Sequence, residues 1–191
     1  MDRGNRYILL LAAFTGALIA SLLFLGQIAH AYPTGWTSDK VVTNDNVDQV
    51  DIAAKGSNVY AVWRTNTAKQ IHYSRSTDKG VTWSSPVRVD LGDQIDGDSY
   101  PQVCTGQGNT VYVGYVSEER PGSTGSEILL RRSQDNGASW DSGYWDYAQL
   151  NEDGSFLSFT RGPTDSPALC YQRNYQIFWR KIIPTGLGGE L

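Results

Sequence analysis

Ser76-Thr77-Asp78-Lys79-Gly80-Val81-Thr82-Trp83 and Ser133-Gln134-Asp135-Asn136-Gly137-Ala138-Ser139-Trp140 decide the fold, because both fit Ser-x-Asp-x-Gly-x-Ser/Thr-Trp. The copies begin at 76 and at 133, a spacing of 57 residues. Each part has work to do in a hairpin. The Ser and Asp side chains hold nearby backbone amides, Gly supplies a positive φ, and Trp folds back over an apolar layer.

The flanks repeat as well. Val59-Tyr60-Ala61-Val62-Trp63 precedes the first copy and Val111-Tyr112-Val113-Gly114-Tyr115 the second, and Ile177-Phe178-Trp179 reads as a third strand of that type. Seven residues before each start stand Ile52, Cys104 and Cys170. Each unit then reads as a four-stranded antiparallel meander. In the first, strands are expected near 50–54, 58–64, 70–76 and 85–90, with the octapeptide turn before the last. The second unit runs from about 101 to 149, and a third starts at 167 and holds two strands. Residues 36–43 read as the outer strand of a preceding unit. Such meanders are blades of a β-propeller.

With this spacing the turns are identified as Asp-boxes, and residues 36–181 resemble the BNR-repeat propellers of the sialidase superfamily. The resemblance implies an all-β fold of about three blades over 32–191, an incomplete ring, since closed propellers have about four to eight. Asp-boxes also occur in propellers that are not sialidases, so the motif carries a fold rather than an activity. A partial ring leaves blade faces exposed, so the chain reads either as a fragment of a longer propeller or as one whose ring a partner chain completes.

Composition narrows the function. The 191 residues carry a net charge of −4 with no Lys/Arg run, which removes the footprint of a nucleic-acid binder. Residues 7–29 carry no charge, follow Arg3 and Arg6, and lead into Ala29-His30-Ala31. Residues 1–31 therefore read as a signal peptide or an uncleaved N-terminal membrane anchor forming an apolar helix, and either places 32–191 outside the cytoplasm.

Meander strands alternate in direction, so the Asp-box turns share one end of the blades with the first-to-second turns. Ligands are expected at the other end, which is where the sialidase resemblance places glycan cleavage. From Trp83 to Cys104 is 21 residues and from Trp140 to Cys170 is 30, which reads as a nine-residue insertion in a blade-to-blade loop of that end; Ser117–Ser126 reads as another. The candidate ligand face gathers Arg64, Asn66, Asp90, Asp93, Asp96, Asp98, Glu118, Glu119, Arg120, Glu152, Asp153 and Arg161. Polar loops of this composition also occur as plain solvated surface. The partner is read as a glycan or a protein.

Much of what a sialidase requires is missing. There is no Arg-Ile-Pro and no Asp between Ile52 and Ser76, and the region where the Tyr-Glu pair would lie is beyond the end of this sequence, so no catalytic residue is assigned. The reading is a non-catalytic binding module, with part of an exo-sialidase-type hydrolase or a ring-completing scaffold as alternatives. No cofactor is assigned, although Asp93-Gln94-Ile95-Asp96-Gly97-Asp98 has oxygens that suit Ca²⁺ without matching an EF-hand. His30 and His72 lack companions for a zinc site. Cys104 and Cys170 read as buried hydrophobes, with a disulfide as the alternative that an exported chain permits.

Overall fold

A computed structural model of the chain describes residues 37–90, 97–118, 125–143, 145–150, 157–161, 167–173 and 175–181. The 1–31 segment, with its expected helix, lies outside them. Two compact units are distinguished, Met1–Asp39 and Lys40–Leu191. In the first, the described residues 37–39 are irregular. The second holds three antiparallel sheets and, among the described residues, no helix.

The first sheet is ordered β1 (Val47–Lys55), β2 (Asn58–Thr65), β3 (Ile71–Ser76), β4 (Val87–Arg88). The second repeats that order with β5 (Gly97–Thr105), β6 (Val111–Glu118), β7 (Ser126–Ser133) and β8 (Trp145–Leu150). The third is β9 (Leu157–Arg161), β10 (Pro167–Arg173) and β11 (Gln176–Lys181), with β10 in the middle. β1, β5 and β9 lie side by side as the inner strands. This is the expected propeller, with three blades in succession.

Alternation along each strand assigns one face to each neighbour. Tyr60, Val62, Ile71 and Tyr73 of the first blade pack on Val103, Val113, Tyr115 and Leu129 of the second. The second blade's other face, with Cys104, Tyr112, Ile128 and Leu130, packs on Leu157, Phe159, Leu169 and Tyr171 of the third. Inner strands of neighbouring blades share no hydrogen-bonded ladder, so β1 side chains satisfy β5 backbone instead. Gln49 Oε1 accepts from the Tyr100 amide at 2.6 Å and Asp51 Oδ2 from the Val103 amide at 2.8 Å, while Lys55 Nζ donates to the carbonyls of Gly106 and Gly108 at 2.7 Å each.

Four details of the sequence reading are corrected. Residues 37–46 form no strand, and Trp36 lies outside the described residues. Val59 pairs with Ser76 as Val111 pairs with Ser133, yet Ala53 opposes Tyr60 while Cys104 opposes Tyr112. Cys104 therefore matches Ala53, and Ile52 matches Val103, because five residues separate the paired Thr105 and Val111 where four separate the paired Ala54 and Val59. The third correction concerns 157–161, which are the inner strand of the third blade and not inserted loop. β10 is thus a second strand and β11 a third. Finally, both cysteines are free thiols, as the preferred reading has them, but only Cys104 is buried and Cys170 is half-buried. Cys104 lies between the second and third blades, whereas Cys170 opposes Ser158 and Trp179 on the far face of the third, so a sheet separates them. Burial pushes the Cys104 thiol up to about 12, which leaves it a packing group.

The two Asp-box turns fold alike. The Gly80 and Gly137 amides each donate to the Ser Oγ of their own box at 2.8 Å. Asp78 Oδ1 accepts from the Thr82 amide at 2.9 Å and Oδ2 from the Thr82 hydroxyl at 2.6 Å; Asp135 does the same with Ser139 at 2.9 and 2.6 Å. The hydroxyl donors hold both carboxyls below the ordinary 3.8, Asp78 at about 2. A carboxyl depressed in the folded state stabilises fully above its unfolded value, and that contribution is lost as pH falls through the folded value. Urea midpoints should therefore fall between pH 4 and pH 2, and Asp78→Asn with Asp135→Asn should flatten that slope; an unchanged slope would count against these bonds.

Candidate ligand-binding face

The structure separates the two ends of the blades as the strand directions require. Lys79 N donates to Ser57 O and Asn136 N to Asn109 O, both at 2.8 Å, which ties each Asp-box to the inner turn of its own blade. Arg75 of the first blade reaches over to the Asn136 carbonyl at 3.0 Å, so the box end is a closed network of structural bonds.

At the opposite end, Arg64 grips Asp48 with both prongs, Nε to Oδ1 at 2.8 Å and Nη2 to Oδ2 at 2.6 Å. Lys69 Nζ reaches Asp48 Oδ2 at 3.5 Å and Asn66 Oδ1 at 3.3 Å. The hydrogen bond from Arg64 lowers the Asp48 pKa. The Asn66 amide donates to Asn46 O at 2.8 Å and the Asp98 amide to Lys69 O at 2.9 Å, which seats the β2–β3 loop against the start of β5. Asp45 Oδ2 accepts from Trp63 Nε1 at 3.3 Å and lies 3.6 Å from His72 Nδ1.

Two of the inner strands are irregular here, β1 between Val47 and Gln49 and β5 between Ser99 and Gln102, with Tyr100 at φ 52°. Bulges of this kind re-aim side chains and collect beside functional sites. Leu150, the last residue of β8, opposes Ser126 at this end, so β9 also starts here. The β10–β11 turn falls on the same end and presents Tyr175, which is 98% exposed.

Of the candidates read from sequence, Arg64, Asn66 and Asp98 are brought to this end, and the Glu118 backbone opposes Gly97 there. Asp98 itself is buried at 1% exposure. Asp90 is a buried fastener: it accepts from the Ile71 amide at 2.7 Å and from Arg88. Arg161 ends β9 and falls at the box end, a correction that follows from 157–161 being a strand. Asp93, Asp96, Glu119, Arg120, Glu152 and Asp153 lie outside the described residues. Among the described residues, no group of three or more His, Cys, Asp or Glu is placed to hold a metal. Sequence reasoning missed Asp48, Lys69 and Tyr175. The hint was Asp48 near the start of a strand whose partner carries Arg64 near its end.

No known family profile matches the chain, and no curated protein does. Solved structures do. A thermostable family-43 glycoside hydrolase superposes with a TM-score of 0.51 at 12% identity, over 72% of this chain and 48% of that one. The GH43B protein of the Bacteroides ovatus xyloglucan locus gives 0.52 at 15%, over 76% and 29%. The NanB sialidase of Streptococcus pneumoniae gives 0.48 at 18%, over 68% and 20%. The chain therefore spans less than half the length of each of these proteins. The first two establish the architecture, a partial propeller of the kind on which glycoside hydrolases are built.

Proposed function

We propose that residues 32–191 form an exported, non-catalytic module that binds a glycan at the end opposite its Asp-boxes. The carrying observation is the Arg64–Asp48 fork with Lys69 and Asn66 beside it. It offers fixed donors and acceptors on one rim, which is the chemistry that sugar hydroxyls and carboxylates require. Tyr175 adds an exposed aromatic face at the same end of the blades. The likeness to glycoside-hydrolase propellers supports carbohydrate as the ligand class, and the charge-free run at 7–29 followed by Ala29-His30-Ala31 supports export.

Titration calorimetry of the full chain with a xyloglucan oligosaccharide and with sialyllactose tests this. At least one should bind, and Arg64→Ala should weaken it by roughly 10-fold, about 1.4 kcal/mol. Arg64 and Asp48 form a rim ion pair with side chains 17% and 28% exposed, so the unfolding midpoint should move by about 1 kcal/mol equivalent. Binding of neither sugar would overturn the proposal. Release of the fluorophore from a fluorogenic sialoside would replace it with the hydrolase reading.

A further inference from the structure

The second Asp-box carries a chemical feature that the first does not. Asn136-Gly137 is the chain's single Asn-Gly pair, and the first box has Lys79-Gly80 in its place. An Asn side chain is open to attack on its Cγ by the amide nitrogen of the next residue, and Gly offers that nitrogen with no side chain to hinder it. Asn58-Val59 and Asn109-Thr110, beside the inner turns of the same two blades, place a β-branched residue there instead.

The folded chain blocks that attack. The Gly137 N–H donates to Ser133 Oγ at 2.8 Å, so the nucleophile is occupied. Asn136 sits at φ 58°, with its own N–H donating to Asn109 O at 2.8 Å and its carbonyl accepting from Arg75 Nη1 at 3.0 Å. Its side-chain Oδ1 accepts from the Tyr60 hydroxyl at 3.4 Å. Gly137 lies so close to Tyr73 that a methyl group added to it would overlap the Tyr73 hydroxyl. Swinging the Gly137 nitrogen onto Asn136 Cγ would break these bonds and force the peptide against that ring. Tyr60, Tyr73 and Arg75 all belong to the first blade. What locks Asn136 is therefore the seam between the first and second blades.

We infer that Asn136 is a modification site gated by that seam: it deamidates in molecules whose first blade has lifted from the second Asp-box. In the open state the Gly137 nitrogen gives up its proton, bonds to Asn136 Cγ and expels the side-chain nitrogen as ammonia, leaving a cyclic succinimide. Water then adds to either ring carbonyl and breaks its C–N bond, which yields aspartate or isoaspartate at 136. Isoaspartate runs the backbone through the former side chain and so lengthens the turn. The register that joins Asn136 N to Asn109 O and Gly137 N to Ser133 Oγ is then lost. A molecule that has opened and reacted in this way no longer reseats its first blade.

The test incubates full-length chain in mild detergent at mildly alkaline pH, folded and in urea, and follows residue 136 by peptide mass spectrometry with fragmentation. Asn58 and Asn109 serve as internal references. Folded wild type should react at least about 10-fold more slowly than unfolded wild type, because reaction must await local opening. Tyr73→Leu, which loosens the seat, should speed the folded reaction by roughly 10-fold. Leu169→Ala weakens the seam between the second and third blades and should leave the rate within about 2-fold. Urea midpoints of both variants rank the two destabilisations, and Phe159→Leu, at the same seam, replaces Leu169→Ala should that variant not fold. No reaction at 136 in urea would overturn the site. Equal rates in folded and unfolded chain would overturn the gate, as would a rate that follows the urea midpoint alike at both seams. Chain reacted to completion in urea should refold with a lower midpoint than unreacted chain, and an unchanged midpoint would overturn the one-way step.

Discussion

Gly137→Ala is expected to destabilise the chain by roughly 2–5 kcal/mol, against roughly 1–2 for the same change at Gly80. The two glycines hold the same place in the two Asp-boxes, with φ of 77° and 87°, so the backbone strain of a side chain is shared. Their surroundings differ. Around Gly80 a methyl group meets nothing within 4 Å, whereas at Gly137 it would overlap the Tyr73 hydroxyl and sit 2.7 Å from Tyr73 Cζ. Tyr73 belongs to the preceding blade and rests edge-on against Trp140, ring centroids 4.9 Å apart. The second Asp-box is therefore a seat for the first blade as well as a turn. Tyr73→Phe alone should be neutral or slightly stabilising, because the hydroxyl is buried without a hydrogen-bond partner. Urea denaturation of both single variants and the double should show coupling, with Tyr73→Leu recovering much of the Gly137→Ala loss. Equal losses at Gly80 and Gly137 would contradict the seat.

Leu129→Ala carries the second large effect, roughly 2–5 kcal/mol, since Leu129 is fully buried where the first and second blades meet. Ile177→Ala, exposed on the third blade, should change stability by no more than about 0.5 kcal/mol. Both residues are apolar and both lie on strands, so a contrast between them isolates blade stacking from strand propensity. Chemical denaturation followed by tryptophan fluorescence measures each. A small loss for Leu129→Ala would mean that the blades do not share a core.

What could be read from sequence was whatever is encoded locally. The Asp-boxes carry their own hydrogen bonds within five residues, so both were legible, and the second strands at 59 and 111 came with them. The end of the blades on which ligands are sought followed from strand alternation alone. The third blade was misread because no Asp-box fixes its register. β9 is short and alternates Leu157, Ser158, Phe159, Thr160, a pattern that the longer spacing from Trp140 disguised as a loop. In the first two blades one extra turn residue moved the match of Cys104 from Ile52 to Ala53, and with a period of two that single step exchanges the faces. The site was legible only in part. Arg64 and Asn66 were found by their place at the end of a strand. Lys69 gains its role from a loop held at φ 53° and from contact with the next blade, neither of which spacing reveals.

Successive meanders stack face to face, with the Asp-box of one blade under the third strand of the blade before. Nuclear Overhauser effects between the Tyr73 ring and the Gly137 α-protons test it most directly. Strong cross-peaks are expected for that pair, 64 residues apart in sequence, alongside cross-peaks from Tyr73 to the Trp140 ring. Their absence, with Tyr73 showing contacts only to its own sheet, would contradict the stacked blades and everything built on them.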